Sequence, residues 1–188
     1  AAQAGAQVLL VPNASPYHIG KAREREAALR RCTAVSGCAL VYANQVGGQD
    51  ELVFDGGSLA LDAAGAVAAR LPEFVEEVKL VQVHADGKVD PVTFSSAASY
   101  SLEEEVWRAL VLSVRDYFRK NRCEGAIIGL SGGIDSAVVL AVAVDALGAS
   151  NVRVVMMPSR YTADISRIDA RAMAARLGVQ YDDLAIDP

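Results

Sequence analysis

The stretch that most constrains this chain is Ile127-Ile128-Gly129-Leu130-Ser131-Gly132-Gly133-Ile134-Asp135-Ser136, backed by an apolar run from Ala137 to Leu147. Ala126 to Leu130 suits a buried strand, and a helical pattern starts at or just after Asp135. Strand, tight turn and helix N-terminus therefore follow one another within a few residues. Gly132 and Gly133 lack a Cβ and can take φ > 0, so several backbone N–H groups can face one small concavity. The unpaired N–H groups of the helix's first turn and the positive end of its dipole favour an anion of phosphate size there. Ser131 and Ser136 can add hydroxyl donors. Asp135 fits beside bound phosphates only with a cation between them, for which Mg²⁺ is the usual choice. The plainer reading is a strand-to-helix turn with Asp135 as a cap, but two serines and an acid in one window favour the phosphate site.

The loop is not a Walker A motif, because no lysine lies between Gly129 and the end of the following helix, and it does not read G-x-G-x-x-G. Around it, helical and strand patterns alternate. A helix starts after Ser101, with Glu103, Glu104 and Glu105 in its first turn, and the strand at 126–130 and the helix at 135–147 follow. Then come a strand at Val152 to Met156, a helix at about 166–177 and a strand at Gln180 to Ile186. This order predicts a doubly wound parallel sheet with right-handed crossovers. Ligands of such sheets bind beyond the carboxyl ends of the strands, where Ser131 to Ser136 and Pro158 to Ile165 both fall. Arg160, in the second of these loops, can meet a phosphate in bidentate fashion or belong to an ordinary surface loop; spacing leaves both open.

The first part of the chain has a different texture. Gln7 to Val11 and Ala39 to Ala43 read as buried strands, and the pattern from Lys21 to Gly37 is helical, with Arg23, Glu24, Arg25, Arg30 and Arg31 on a solvated face. Gln45 to Glu51 is polar and Gly-rich and reads as a loop. Short strands are expected at Leu52 to Phe54, Ser58 to Leu61 and Ala66 to Ala69, and a half-exposed strand at Phe74 to Val83. The segment His84 to Ser101 has no sustained period and is the candidate linker. The expected division is 1–85, linker 86–101 and 102–188.

Composition narrows the function classes. A net charge of −5 argues against a nucleic-acid groove, and no window approaches the roughly 18 consecutive apolar residues of a membrane span. Cys32, Cys38 and Cys123 form no C-x-x-C pair and read as reduced thiols of a cytoplasmic protein. The chain opens on Ala1 with no hydrophobic leader and has no methionine before Met156, from which a piece of a longer polypeptide is expected.

Ser131-Gly132-Gly133-Ile134-Asp135-Ser136 resembles the S-G-G-x-D-S pyrophosphate loop of the ATP pyrophosphatases. Together with Met156-Met157-Pro158-Ser159-Arg160-Tyr161-Thr162 and Asp169-Ala170-Arg171 it looks like the amide-forming domain of the NAD synthetase family. That resemblance implies ATP contacts along Gly129, Leu130, Ser131, Gly132, Gly133, Ile134, Asp135 and Ser136, Mg²⁺ at Asp135, and deamido-NAD as the carboxylate to be amidated. Asn13-Ala14-Ser15-Pro16-Tyr17 with Lys21, Tyr42 to Glu51 and Phe54 to Ser58 resemble the later part of a nitrilase-type amidase domain, the glutaminase fused ahead of some NAD synthetases. The fold implied is a partial nitrilase-like α/β sandwich followed by an adenine-nucleotide-alpha-hydrolase-like sheet. The same resemblance implies glutamine contacts at Ser15 and Lys21, ammonia passed between the halves, a homo-oligomer, and a catalytic Glu-Lys-Cys set upstream of Ala1. Taken without it, Ser15 is a turn residue and Lys21 a helix-start lysine. A GMP-synthetase-type amidotransferase and a non-catalytic nucleotide-binding segment are the alternatives; no G-x-C-x-G turn supports the former.

Overall fold

The computed structural model describes residues 1–92 and 100–186. They form two compact units, one of Ala1–Gly47 with Glu51–Ala109 and one of Gly48–Asp50 with Leu110–Pro188.

In the first unit, β1 (Val8–Asn13) and β2 (Ala39–Asn44) pair in parallel, as they must when the helix α1 (Lys21–Ser36) connects them. β5 (Leu59–Leu61) and β6 (Val67–Arg70) add antiparallel strands, giving the order β1-β2-β5-β6, with β3 (Val46–Gln49) and β4 (Leu52–Asp55) forming a separate hairpin. The two faces of this sheet are covered differently. One buries Leu40, Tyr42, Leu59 and Leu61 with Leu29 of α1. On the other, Ala39, Ala60 and Ala69 are small enough for a segment that folds back on itself between Val83 and Val89, and also carries Val81, to lie close against them. Apolar area removed from water on both faces is the main stabilising term for such a sheet.

Two expectations need correction here. Gln45 to Glu51 is not simply a loop: β3 and β4 meet around Asp50, which takes φ 50°. Phe74 to Val83 is not a strand. Phe74 takes φ 62°, is 5% exposed and donates its N–H to the Asp55 carbonyl at 2.8 Å, which turns the chain away from a ladder and leaves Val78 and Leu80 in solvent. Within the expected linker 86–101, Val89 is buried and the Val92 N–H donates to the Ala68 carbonyl at 2.9 Å; residues 93–99 lie outside the described residues.

The second unit is a parallel sheet of β7 (Ala126–Gly129), β8 (Val152–Met156) and β9 (Gln180–Asp183) in that order, as the alternating pattern predicts. The crossover helices are α3 (Ile134–Leu147) and α4 (Asp164–Leu177), and their inner faces bury Leu140, Ala143, Ala170 and Ala174 against Val152, Val154 and Met156. Met156 thus belongs to the core. Helix α2 (Leu102–Asn121) begins as expected, with the Glu104 N–H donating to Ser101 Oγ at 3.2 Å. Further along it, Asp116 accepts the Gly48 N–H at 2.9 Å, and a Cβ on Gly48 would lie 3.0 Å from Ser113 Cα, which explains a glycine at that position. No helix among the described residues is long and apolar enough to cross a membrane.

Candidate functional site

At the carboxyl end of β7 the chain passes through buried Leu130 and turns at Ser131–Gly133 into α3. Gly132 takes φ 80°, and a Cβ there would run into the backbone of Ser166 in the first turn of α4, with the Ser166 Cα only 2.8 Å away. Only glycine satisfies both conditions. Gly133 behaves differently from the expectation: its φ is −88°, and it serves as the extended N-cap of α3. The positive-φ turn is therefore made by one glycine of the pair.

The two serines organise the loop internally. Ser136 Oγ donates to the Gly133 carbonyl at 3.0 Å and receives the Ser131 N–H at 3.2 Å, and the two hydroxyl oxygens are 2.9 Å apart. Ser131 Oγ also receives the Gly133 N–H at 3.3 Å. Among the described residues no acceptor meets the N–H groups of Gly132, Ile134, Asp135 and Ser136. Asp135 and Ile134 are exposed, and α3 has no side-chain cap. Asp135 is thus not the helix cap of the plainer reading. The result is a concave row of unpaired amides at a helix N-terminus, the arrangement that binds phosphate oxygens. No group of three or more His, Cys, Asp or Glu gathers among the described residues, so a metal here would have Asp135 as its protein carboxylate. Mg²⁺ fits that donor set, because it commonly takes one or two carboxylates, substrate phosphates and waters.

Beside the loop lies a cavity of about 280 Å³ lined by Gly129, Leu130, Ser131, Val155, Met156, Met157 and Thr162. It sits at the carboxyl ends of β7 and β8, where an open parallel sheet takes its ligands. Thr162 was not singled out from the sequence; it closes a tight turn with Ser159, each using a backbone N–H to reach the other at 3.0 and 2.9 Å. Arg160 occupies the same loop with its guanidinium 5.9 Å from the ring centre of Tyr161. Ser166 lies in the first turn of α4.

A second cavity, of about 550 Å³, belongs to the first unit and is lined by Ser15 and Lys21 together with Asn13, Arg25, Leu29 and Tyr42. The structure thus brings the two expected amide-pocket residues into one place. Cys32 is exposed on α1, and the Cys38 thiol is buried with its sulfur 3.0 Å from the Ala6 carbonyl; neither lines this cavity.

Arg25 departs from the solvated face assigned to it. It is 6% exposed and grips Asp55 in bidentate fashion at 2.9 and 2.6 Å, with a further bond to the Gly56 carbonyl at 3.2 Å. Burial works against its charge, but the Asp55 hydrogen bonds and carboxylate charge outweigh it and hold the guanidinium above the ordinary arginine value. Glu73 shows the opposite balance: burial, then the Asp55 and Glu105 carboxylates, push its carboxyl above the ordinary glutamate value. The signal for Asp55 was its place in Phe54-Asp55-Gly56-Gly57-Ser58; nothing in the spacing of α1 marks Arg25 as its partner.

Two protein families match this chain. Residues 1–88 match the carbon-nitrogen hydrolase family and residues 106–188 the NAD synthase family. The chain is 46% identical over 187 residues to a glutamine-dependent NAD(+) synthetase of Xanthomonas campestris pv. campestris, covering 99% of this chain and 34% of that protein. To one of Rhodobacter capsulatus it is 45% identical, covering 99% and 34%. The solved glutamine-dependent NAD+ synthetase of Acinetobacter baumannii, in complex with ADP, superposes with a TM-score of 0.92 at 40% identity over 98% of this chain and 35% of that one. The chain therefore spans about a third of the length of these relatives.

Proposed function

Since this chain belongs to the glutamine-dependent NAD(+) synthetase family over the third of its relatives' length that it spans, we propose that it serves ATP-dependent amidation of deamido-NAD to NAD, with ammonia drawn from glutamine. The observation that carries this reading is the row of amides at Gly132, Ile134, Asp135 and Ser136 left open among the described residues, with the exposed Asp135 carboxylate beside it. In this reading residues 102–188 form the start of the synthetase half, 86–101 join the halves, and 1–85 belong to the glutaminase half.

ATP places its phosphates along Gly129 to Ser136, where fixed N–H donors need no reorganisation as charge develops. Asp135 would hold Mg²⁺, which would supply charge neutralisation to the triphosphate when bound. An oxygen of the nicotinate carboxylate attacks the α phosphorus, the bond to pyrophosphate breaks, and an acyl adenylate forms. Ammonia then adds to the acyl carbon, AMP leaves with the electrons of the C–O bond, and the lost proton passes to solvent. No protein nucleophile is required; orientation and the amide row do the work. Arg160 is assigned to the outgoing pyrophosphate, with Lys21 and Ser15 holding glutamine by its carboxylate and by a hydroxyl. The reading includes a cytoplasmic homo-oligomer, which sedimentation of the intact protein tests.

The direct test is NAD formation by the intact protein from deamido-NAD, MgATP and either ammonia or glutamine. Asp135→Asn should lower both rates by on the order of 10²-fold or more while sparing glutamine hydrolysis. Equal loss of glutamine hydrolysis, or no loss of NAD formation, would refute the assignment.

A further inference from the structure

The pocket at Ser15 and Lys21 is supported by a side-chain network that none of the comparisons describes, and its centre is Asn44. This residue ends β2 in register with Asn13 at the end of β1 and is 9% exposed. Its Oδ1 receives the Ser15 N–H at 2.9 Å and the Tyr42 hydroxyl at 3.2 Å, while its Nδ2 donates to the Gly56 carbonyl at 3.0 Å and to Asp55 Oδ1 at 3.3 Å. A side-chain amide has two donor hydrogens and two acceptor lone pairs, and here every one is used. The orientation of the amide is therefore determined: turned over, it would set N–H groups against the Ser15 amide and an oxygen against the Asp55 carboxylate.

The far side of the network reaches helix α1. Asp55 and the Gly56 carbonyl, the two acceptors of Asn44, are also the acceptors of Arg25. Arg25 follows Lys21 by four residues, so the two lie on one helical face, and both line the cavity. Its guanidinium also stands 5.7 Å from the ring centre of Tyr42, which donates to Asn44. One buried set of bonds thus fixes the helix that carries Lys21 and the backbone that carries Ser15. Ser15 needs such support, because it sits in an irregular stretch between β1 and α1. Apart from the Asn44 bond, the neighbouring backbone is tied by the Tyr17 N–H to the Val53 carbonyl at 2.7 Å and by the Ala14 N–H to Asn13 Oδ1 at 2.8 Å. Among the described residues, the Asn44 bond is the one that holds the residue 15 backbone itself.

We propose that Asn44, anchored by the Arg25–Asp55 pair, is a positioning residue for the amide substrate, setting Ser15 and Lys21 at the separation that an amino acid with a carboxylate and a side-chain amide requires. This rests on the reading of the cavity as the glutamine pocket. Buried side-chain networks of this kind hold groups in one geometry, and displacement of a positioning group by an ångström can cost about 10²-fold in rate.

The experiment measures glutamine-driven and ammonia-driven NAD formation by the intact protein for wild type, Asn44→Ala, Tyr42→Phe and Ser15→Ala. Asn44→Ala should raise the glutamine KM by about tenfold or more and lower the ratio of glutamine-driven to ammonia-driven synthesis by a similar factor. Tyr42→Phe removes one hydroxyl from the same oxygen and should shift both by about twofold to fivefold, and it carries the test if Asn44→Ala does not fold. A purely structural role would lower both syntheses together and leave the ratio where it was; that result overturns the proposal. If Ser15→Ala raises the glutamine KM while folded Asn44→Ala and Tyr42→Phe do not, the positioning role fails and the pocket stands. If Ser15→Ala also leaves it unmoved, the glutamine reading itself fails.

Discussion

At the end of β7 the groups offered to a ligand are backbone amides of one short stretch, Gly132 and Ile134 to Ser136, whereas the pocket around Ser15 draws its fixed geometry from Arg25, Tyr42, Asn44 and Asp55, side chains scattered over three elements. The first site is made by a turn and a helix start, so its donors are present as soon as that local fold exists. The second exists only when α1, β2 and β4 have come together, and it depends on a buried ion pair that is costly to break. Exposure follows the same contrast, with Asp135 in solvent and Asp55 1% exposed. A backbone site tolerates side-chain change except where a side chain would collide; a side-chain site tolerates backbone drift but not the loss of a partner.

The contrast can be broken most forcefully at Arg25. Arg25→Met leaves the Asp55 carboxylate buried without its cation and should cost about 3–5 kcal/mol in urea unfolding of the intact protein, most of it in the first unit. A cost below about 1 kcal/mol would mean that water or a neighbour replaces the guanidinium, and the pocket would not depend on the pair.

Next in size are the two adjacent glycines. Gly132→Ala meets both a left-handed backbone and the Ser166 backbone and should lose at least about 2 kcal/mol together with ATP binding. Gly133→Ala sits at φ −88° with the new methyl 3.4 Å from Ser131 Oγ, ordinary contact, and should change stability by less than about 1 kcal/mol. Equal effects at the two positions would show that the loop's geometry differs from the one described.

The smallest expected effect is a pH dependence. Because burial and then the Asp55 and Glu105 carboxylates raise the Glu73 carboxyl above its ordinary value, the folded state binds its proton more tightly than the unfolded chain. Its contribution is fully present below the ordinary glutamate range and is lost as pH rises through the raised value. Glu73→Gln, which mimics the protonated form, should match wild type in acid and become the more stable of the two as pH rises toward neutrality. A stability difference that stays constant with pH would contradict this.

How far the sequence could be read follows from the same contrast. The strand, turn and helix at 126–147 and the strand Val152–Met156 were legible because apolar period, glycine and helix start are local signals. The placement of Ser15 and Lys21 in one pocket came from family resemblance, and the structure adds the cavity that holds both. Arg25 was misread because a charged run on a helix normally faces water, and its burial depends on Asp55 thirty residues further on. Phe74 to Val83 alternates like a strand, but Phe74 takes a positive φ, held by its N–H bond to the distant Asp55 carbonyl and its ring contact with Tyr17, and leaves the ladder. The Gly-Gly pair could not reveal which glycine takes the left-handed turn, since the close approach of α4 decides it.

The central claim is that the open amides of Gly132 and Ile134 to Ser136, with magnesium held at Asp135, bind a triphosphate, and calorimetric titration of ATP into the intact protein tests it most directly. Wild type should bind ATP about tenfold or more tightly with Mg²⁺ than with excess EDTA, and Asp135→Asn should lose most of that difference while keeping the weaker, metal-free affinity. An unchanged Mg²⁺ dependence in Asp135→Asn, or no ATP binding by wild type under either condition, would contradict the account.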